Sequence, residues 1–118
     1  MSTILVVDDS PTTLKLVSKA LATTGHHIIT ASDGEEAVRI FAENVETIDL
    51  VFLDMTMPGL SGLDALKQIQ KIRPLTKALV ASGYPLDIPT SHFLAKPYSP
   101  LDLVRRIQEV LNEEANSA

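Results

Sequence analysis

Apolar positions along the chain alternate between two periods. Residues 3–7, "TILVV", form a short apolar run and predict a buried strand. Residues 11–25, "PTTLKLVSKALATTG", switch to helical spacing. Leu14, Val17 and Leu21 share a face, Pro11 suits a first-turn position, and Gly25 ends the helix. The alternation continues with a strand over 27–31 and a helix over 33–45, whose stripe is Ala37, Val38, Phe41 and Val45. "DLVFLD", residues 49–54, is apolar almost to its last residue, which predicts a central strand covered on both faces. A third helix spans 61–72, where Ser61 is placed to cap and Asp64 sits three residues on, close to a capping box. Strands follow at 77–82 and 92–96. The last helix spans 99–114, with Leu101, Val104, Ile107, Val110 and Leu111 expected to face inward. Residues 112–118 are polar and expected to fray.

Strict alternation of strands and helices predicts an α/β fold, with parallel strands and helices on both faces. The expected architecture is a doubly wound, flavodoxin-like, five-stranded parallel sheet in the order 2-1-3-4-5. At 118 residues, with no repeat and no linker, the chain reads as one domain over 1–118. A hydrophobic fraction of 45% gives it enough apolar surface for a real core. The net charge of −5 argues against direct contact with nucleic acid and favours metal ions or basic partner patches. The absence of cysteine excludes disulfides and thiolate chemistry. No signal-type segment or membrane-spanning apolar run is evident, so the expectation is a cytoplasmic protein without membrane contact.

In doubly wound sheets, ligands bind beyond the carboxyl ends of the strands where strand order reverses, here above strands 1 and 3. Strand 1 ends at Asp8 and Asp9, strand 3 at Asp54, strand 4 at Ser82 and strand 5 at Lys96. Carboxylates gathered within a few ångströms repel one another unless a cation intervenes. A hard divalent ion, Mg²⁺ or Mn²⁺, suits such oxygen ligands, which assigns Asp8 and Asp9 to metal binding. Asp54 is then placed to attack phosphorus and carry an acyl phosphate. Lys96 would supply a second positive point and Ser82 a hydroxyl to a phosphoryl oxygen.

Each residue also has a plainer reading. An aspartate after a strand is commonly a cap or turn residue, and "MTMPG" after Asp54 is turn-like. Ser82 could be a loop residue and Lys96 a solvated lysine. The conjunction carries the argument, because four of the five strands deliver such a residue to one sheet edge. The histidines do not add a metal site: His26 and His27 are adjacent, and on a strand would point to opposite faces, while His92 precedes strand 5. Met55 and Met57 read as packing residues.

"VVDDS", "ASDGEEAV", "LVFLDMTMPGLSG", "ASGY" and "FLAKP", in this order, resemble the receiver domain of two-component response regulators, the chemotaxis-regulator fold. The resemblance covers essentially the whole chain. It implies that Asp8 and Asp9 form the acidic Mg²⁺ pocket, that Asp54 is the phosphoacceptor, and that the backbone carbonyl of Thr56 completes the metal shell. It further implies that Ser82 is the switch hydroxyl, that Lys96 contacts the phosphate, and that the Lys96–Pro97 peptide is cis. Phe93 takes the place of the aromatic that turns inward when Ser82 moves towards the phosphate. A histidine kinase or histidine phosphotransfer protein donates the phosphoryl group in this family. The receiver catalyses only its own phosphotransfer and slow dephosphorylation.

One departure stands out. The family places a whole helix between strands 4 and 5, whereas here only a short segment containing Gly83, Pro85 and Pro89 intervenes, so that helix is expected to be shortened or absent. Tyr84, two residues beyond Ser82, is placed to restrict the attacking water. With no output domain in the sequence, the expected output is contact with a downstream protein. Two other readings require features of their own. A Mg²⁺-dependent phosphohydrolase with Asp54 as covalent nucleophile would need a cap segment and a D-x-D arrangement, and the chain has neither. A flavodoxin-like cofactor binder would want a hydroxyl-rich loop after strand 1 and stacking aromatics; "DDSPTT" is acidic and aromatics are 4% of the chain.

Overall fold

A computed structural model describes residues 2–54, 62–82 and 93–112; at Asp54, Gly62, Leu63 and Ser82 it describes the backbone. The elements are β1 (Thr3–Val7), α1 (Pro11–Ala22), β2 (His27–Ala31), α2 (Gly34–Glu43), β3 (Leu50–Asp54), α3 (Gly62–Ile72), β4 (Lys77–Ser82), β5 (Phe93–Ala95) and α4 (Pro100–Asn112). The strands form one sheet in the order β2-β1-β3-β4-β5, with every neighbouring pair parallel. This is the expected architecture. Ser61, Tyr84 and the rest of 83–92 lie outside the described residues, as do Met55, Thr56, Met57, His92 and 113–118.

Helix starts fall where a side chain can take an unpaired backbone donor. Ser10 Oγ accepts the Thr13 N–H at 3.3 Å ahead of Pro11. Asp33 Oδ1 accepts the Glu36 N–H at 2.7 Å, while Glu36 Oε1 accepts the Ser32 N–H at 2.8 Å. At α4, Ser99 Oγ accepts the Asp102 N–H at 3.1 Å and Asp102 Oδ2 accepts the Ser99 N–H at 3.2 Å, a reciprocal cap. The helix α1 ends at Ala22, short of Gly25, whose φ of 88° turns the chain towards β2.

The sheet separates two apolar layers by simple alternation. Leu5, Val7, Val51, Leu53, Ala78 and Val80 face α2 and α3, packing with Ala37, Phe41, Ala65 and Ile69. Ile4, Val6, Leu50, Phe52, Leu79 and Ala81 face α1 and α4, packing with Val17, Leu21, Leu103 and Ile107. Leu50, Val51, Phe52 and Leu53 are all buried, as a central parallel strand requires.

The inward stripe of α4 differs from expectation. Leu101 is 58% exposed, whereas Leu103 is fully buried with Ile107 and Val110. Val104 and Leu111 are half-buried beside them. At about 100° per residue, Leu101 lies about 120° around the helix from Ile107, beyond the covered face. The helix also keeps Asn112, the first residue of the expected frayed tail.

Candidate functional site

The register brings the strand ends together. Val7 pairs with Leu53 across β1 and β3, so Asp8 and Asp54 follow side by side on neighbouring strands about 4.8 Å apart. Asp54 in turn pairs with Ala81, the residue before Ser82, and Ser82 pairs with Ala95, the residue before Lys96. The backbones of Asp8, Asp54, Ser82 and Lys96 therefore step across one rim, from the middle of the sheet to its β5 edge. The side chains of Asp54 and Ser82, and all of Thr56, lie outside the description.

Asp8 and Asp9 are neighbours in different environments. Asp8 is 4% exposed; its N–H extends the ladder to the Ala31 carbonyl at 3.1 Å, and its Oδ1 accepts the Ser10 N–H at 2.9 Å. The turn role open to an aspartate after a strand is thus filled by Asp8. Asp9 is exposed. A buried carboxylate beside an exposed one is a pair of hard oxygen donors of the kind a small divalent cation takes. These residues fit a small divalent ion. Among the described residues no three carboxylate or histidine side chains gather as a metal site, and Asp54, the third carboxylate expected, is described through its backbone.

Lys96 is half-buried in the loop between β5 and α4, and the Lys96–Pro97 peptide is cis. Phe93 is half-buried and pairs in register with Val80. Lys96, Asp8 and Asp9 line a common cavity of about 590 Å³ whose far wall is apolar, built from Leu16, Val17 and Ala20 of α1 with Tyr98 and Leu103. Sequence reasoning missed this wall. Leu16, 61% exposed, was the available signal: an apolar residue off the Leu14–Val17–Leu21 stripe.

A family model described as the response regulator receiver domain matches residues 4–108. A probable transcriptional regulator, ycf27 of Guillardia theta, is 34% identical over 98% of the chain and 47% of its own length. The chain spans about half the length of the curated relatives it matches. Among solved structures, a response regulator receiver domain protein from Clostridium thermocellum superposes with a TM-score of 0.87 at 35% identity, covering 95% of each chain. The response regulator TrrA of Thermotoga maritima, in complex with Mg²⁺-BeF, gives 0.84 at 32% identity, covering 93% of this chain and 99% of its own. The same regulator in complex with the histidine kinase ThkA gives 0.80 at 31% identity, covering 95% and 100%. Motif order, parallel 2-1-3-4-5 sheet and family match agree: the chain belongs to the response regulator receiver domain family.

Proposed function

We propose that the protein is a phosphorylation-dependent signalling switch of a two-component system or phosphorelay, with Asp54 as phosphoacceptor. The observation that carries this reading is the register: it sets Asp54 beside Asp8 and runs on through Ser82 to Lys96 along one rim. An Asp54 carboxylate oxygen attacks the phosphorus of a phosphohistidine. The P–O bond forms as the N–P bond breaks, and the electron pair returns to the imidazole nitrogen. Lys96 offers its ammonium to the phosphoryl oxygens as charge moves onto the leaving group, and the Ser82 hydroxyl donates to one of them afterwards. Phe93 follows Ser82 inward. Hydrolysis reverses the modification when water attacks phosphorus, releasing phosphate and the free carboxylate.

Asp8, Asp9, Asp54 and the Thr56 carbonyl are the residues that would hold Mg²⁺ or Mn²⁺. When bound, the ion supplies positive charge against the phosphoryl oxygens. The donor is a histidine kinase or histidine phosphotransfer protein, a reading supported by the kinase complex of the related TrrA. The receiver acts as a signalling protein that turns over only its own phosphate, in the cytoplasm, and passes its state to a downstream protein. No described helix is long and apolar enough to cross a membrane.

Intact mass after incubation with acetyl phosphate and Mg²⁺ tests the reading. Wild type gains one phosphoryl group and Asp54→Asn gains none. Equal modification of both, or labelling without a divalent ion, would overturn it.

A further inference from the structure

Lys96 has no regular element of its own. It follows β5, a strand of only three residues, and precedes α4 by a short loop, residues 96–99. Something must fix this loop if an ammonium on a long flexible stem is to meet a phosphoryl group. Ser99 ties the far end of the loop to α4 through the reciprocal cap with Asp102, which sets the helix start but reaches no strand. Tyr98 does reach one. Its half-buried ring packs in the layer between the sheet and α1 and α4, and meets the Phe52 ring edge-on, with centroids 6.0 Å apart and planes at 85°. That geometry is a favoured one for aromatic pairs, and it is directional. Phe52 is fully enclosed in β3, two residues before Asp54. Tyr98 also lines the same cavity as Lys96, Asp8 and Asp9.

We infer that Tyr98 is a positioning residue for phosphotransfer: its ring, seated on Phe52, registers the Lys96 loop against the strand that carries the phosphoacceptor. The inference rests on the phosphoacceptor reading of Asp54. Tyr98 makes its edge-on ring contact with Phe52, not with a residue of the site. It acts through Lys96, two residues away, by making the position of the loop depend on β3 and not on the short edge strand β5. A displaced ammonium loses much of its effect, since misplacement by about 1 Å can cost about a hundredfold in rate.

The test is a double-mutant cycle on the rate of labelling by acetyl phosphate with Mg²⁺, using Tyr98→Ala and Lys96→Met in the full chain. Tyr98→Ala is expected to slow labelling by about tenfold to a hundredfold in the Lys96 protein, and by less than about twofold once Lys96 is already methionine. Mg²⁺ affinity, set by Asp8 and Asp9, stays unchanged. Tyr98→Phe keeps the ring and restores the rate. Tyr98→Leu retains apolar bulk without the aromatic edge and serves the same cycle should Tyr98→Ala unfold, as read from its thermal transition. Equal slowing with and without Lys96 would mark a general structural role and overturn the inference. So would a wild-type rate in Tyr98→Leu, or a loss in Tyr98→Phe as large as in Tyr98→Leu. Absence of labelling in wild type would instead defeat the phosphoacceptor reading, so the two failures are distinct.

Discussion

At the amino ends of the strands, charged side chains are tied to the backbone. Asp49 Oδ2 accepts the Thr3 N–H at 2.8 Å, and Arg73 donates to the Val45 and Ile48 carbonyls at 3.0 Å each. Lys77 donates to the Leu111 carbonyl at 2.9 Å, in the last turn of α4. At the carboxyl ends Asp8 has such a tie as well, to the Ser10 N–H at 2.9 Å, but the charges around it are set differently. Asp8 and Asp9 put two like charges in succession, one buried and one exposed, on the wall of a cavity they share with Lys96. A charge that closes a backbone hydrogen bond contributes to stability; two adjacent carboxylates beside a cavity oppose folding and favour a cation. The two ends of the sheet thus hold charge in different surroundings, in backbone ties between elements at one end and beside a cavity at the other.

The sharpest way to break that comparison is at Lys96. Lys96→Met removes the ammonium while keeping much of the stem, and labelling by acetyl phosphate is expected to slow by about a hundredfold or more. Stability in urea should move little. A large loss of stability with normal labelling would place Lys96 with the structural charges. Asp9→Asn is the next test, because it carries two opposite signs. Mg²⁺ affinity, followed by competition or calorimetry, should fall by about tenfold or more. Without Mg²⁺ the same variant should be more stable by about 0.5 kcal/mol, since it removes repulsion from Asp8. The gain should fade in high salt, where exposed charges are screened. A metal-free loss would mean that Asp9 holds the fold together.

The carboxyl rim was legible in the sequence because parallel buried strands read as unbroken apolar runs. Where "ILVV" or "LVFL" stops, the next residue is at the rim, and the rule for doubly wound sheets says which rim matters. The backbones of residues 8, 54, 82 and 96 fall along that rim. The phase of α4 was harder. "LDLV" offers Leu101, Leu103 and Val104 to the same stripe, and only packing against the sheet selects Leu103 over Leu101. Tyr98 was illegible for a different reason. It sits in a loop without period, and its contact with Phe52 joins residues distant in sequence. The double part played by Asp8, closing a turn at Ser10 while lining the cavity, was visible only as a choice between two roles.

The amino end offers the converse test. Arg73→Met withdraws a charged donor from two carbonyls at once, and unfolding in urea should show a loss of about 1–3 kcal/mol. Labelling by acetyl phosphate should proceed at the wild-type rate, because the tie lies at the opposite end of the strands from the rim. A slower rate with unchanged stability would show that the two ends are not independent.

The smallest effect is expected at Asp49, and it completes the contrast with Asp9. Both are exposed aspartates at the end of a strand, one at each end of the sheet. Asp49 accepts the backbone N–H of Thr3, and its own N–H returns to the Thr3 carbonyl at 2.8 Å, so the pair closes the start of β3 onto β1. Asp49→Ala removes the first of these bonds. Water can reach the exposed Thr3 N–H, so the loss should stay near about 0.5–1 kcal/mol, with no change in Mg²⁺ affinity or labelling. The sign is what matters. Removing a carboxylate from the amino end should weaken the fold, whereas removing one from the carboxyl end should strengthen it until Mg²⁺ is added. Equal signs in metal-free urea titrations of Asp49→Ala and Asp9→Asn would erase the distinction between the two ends.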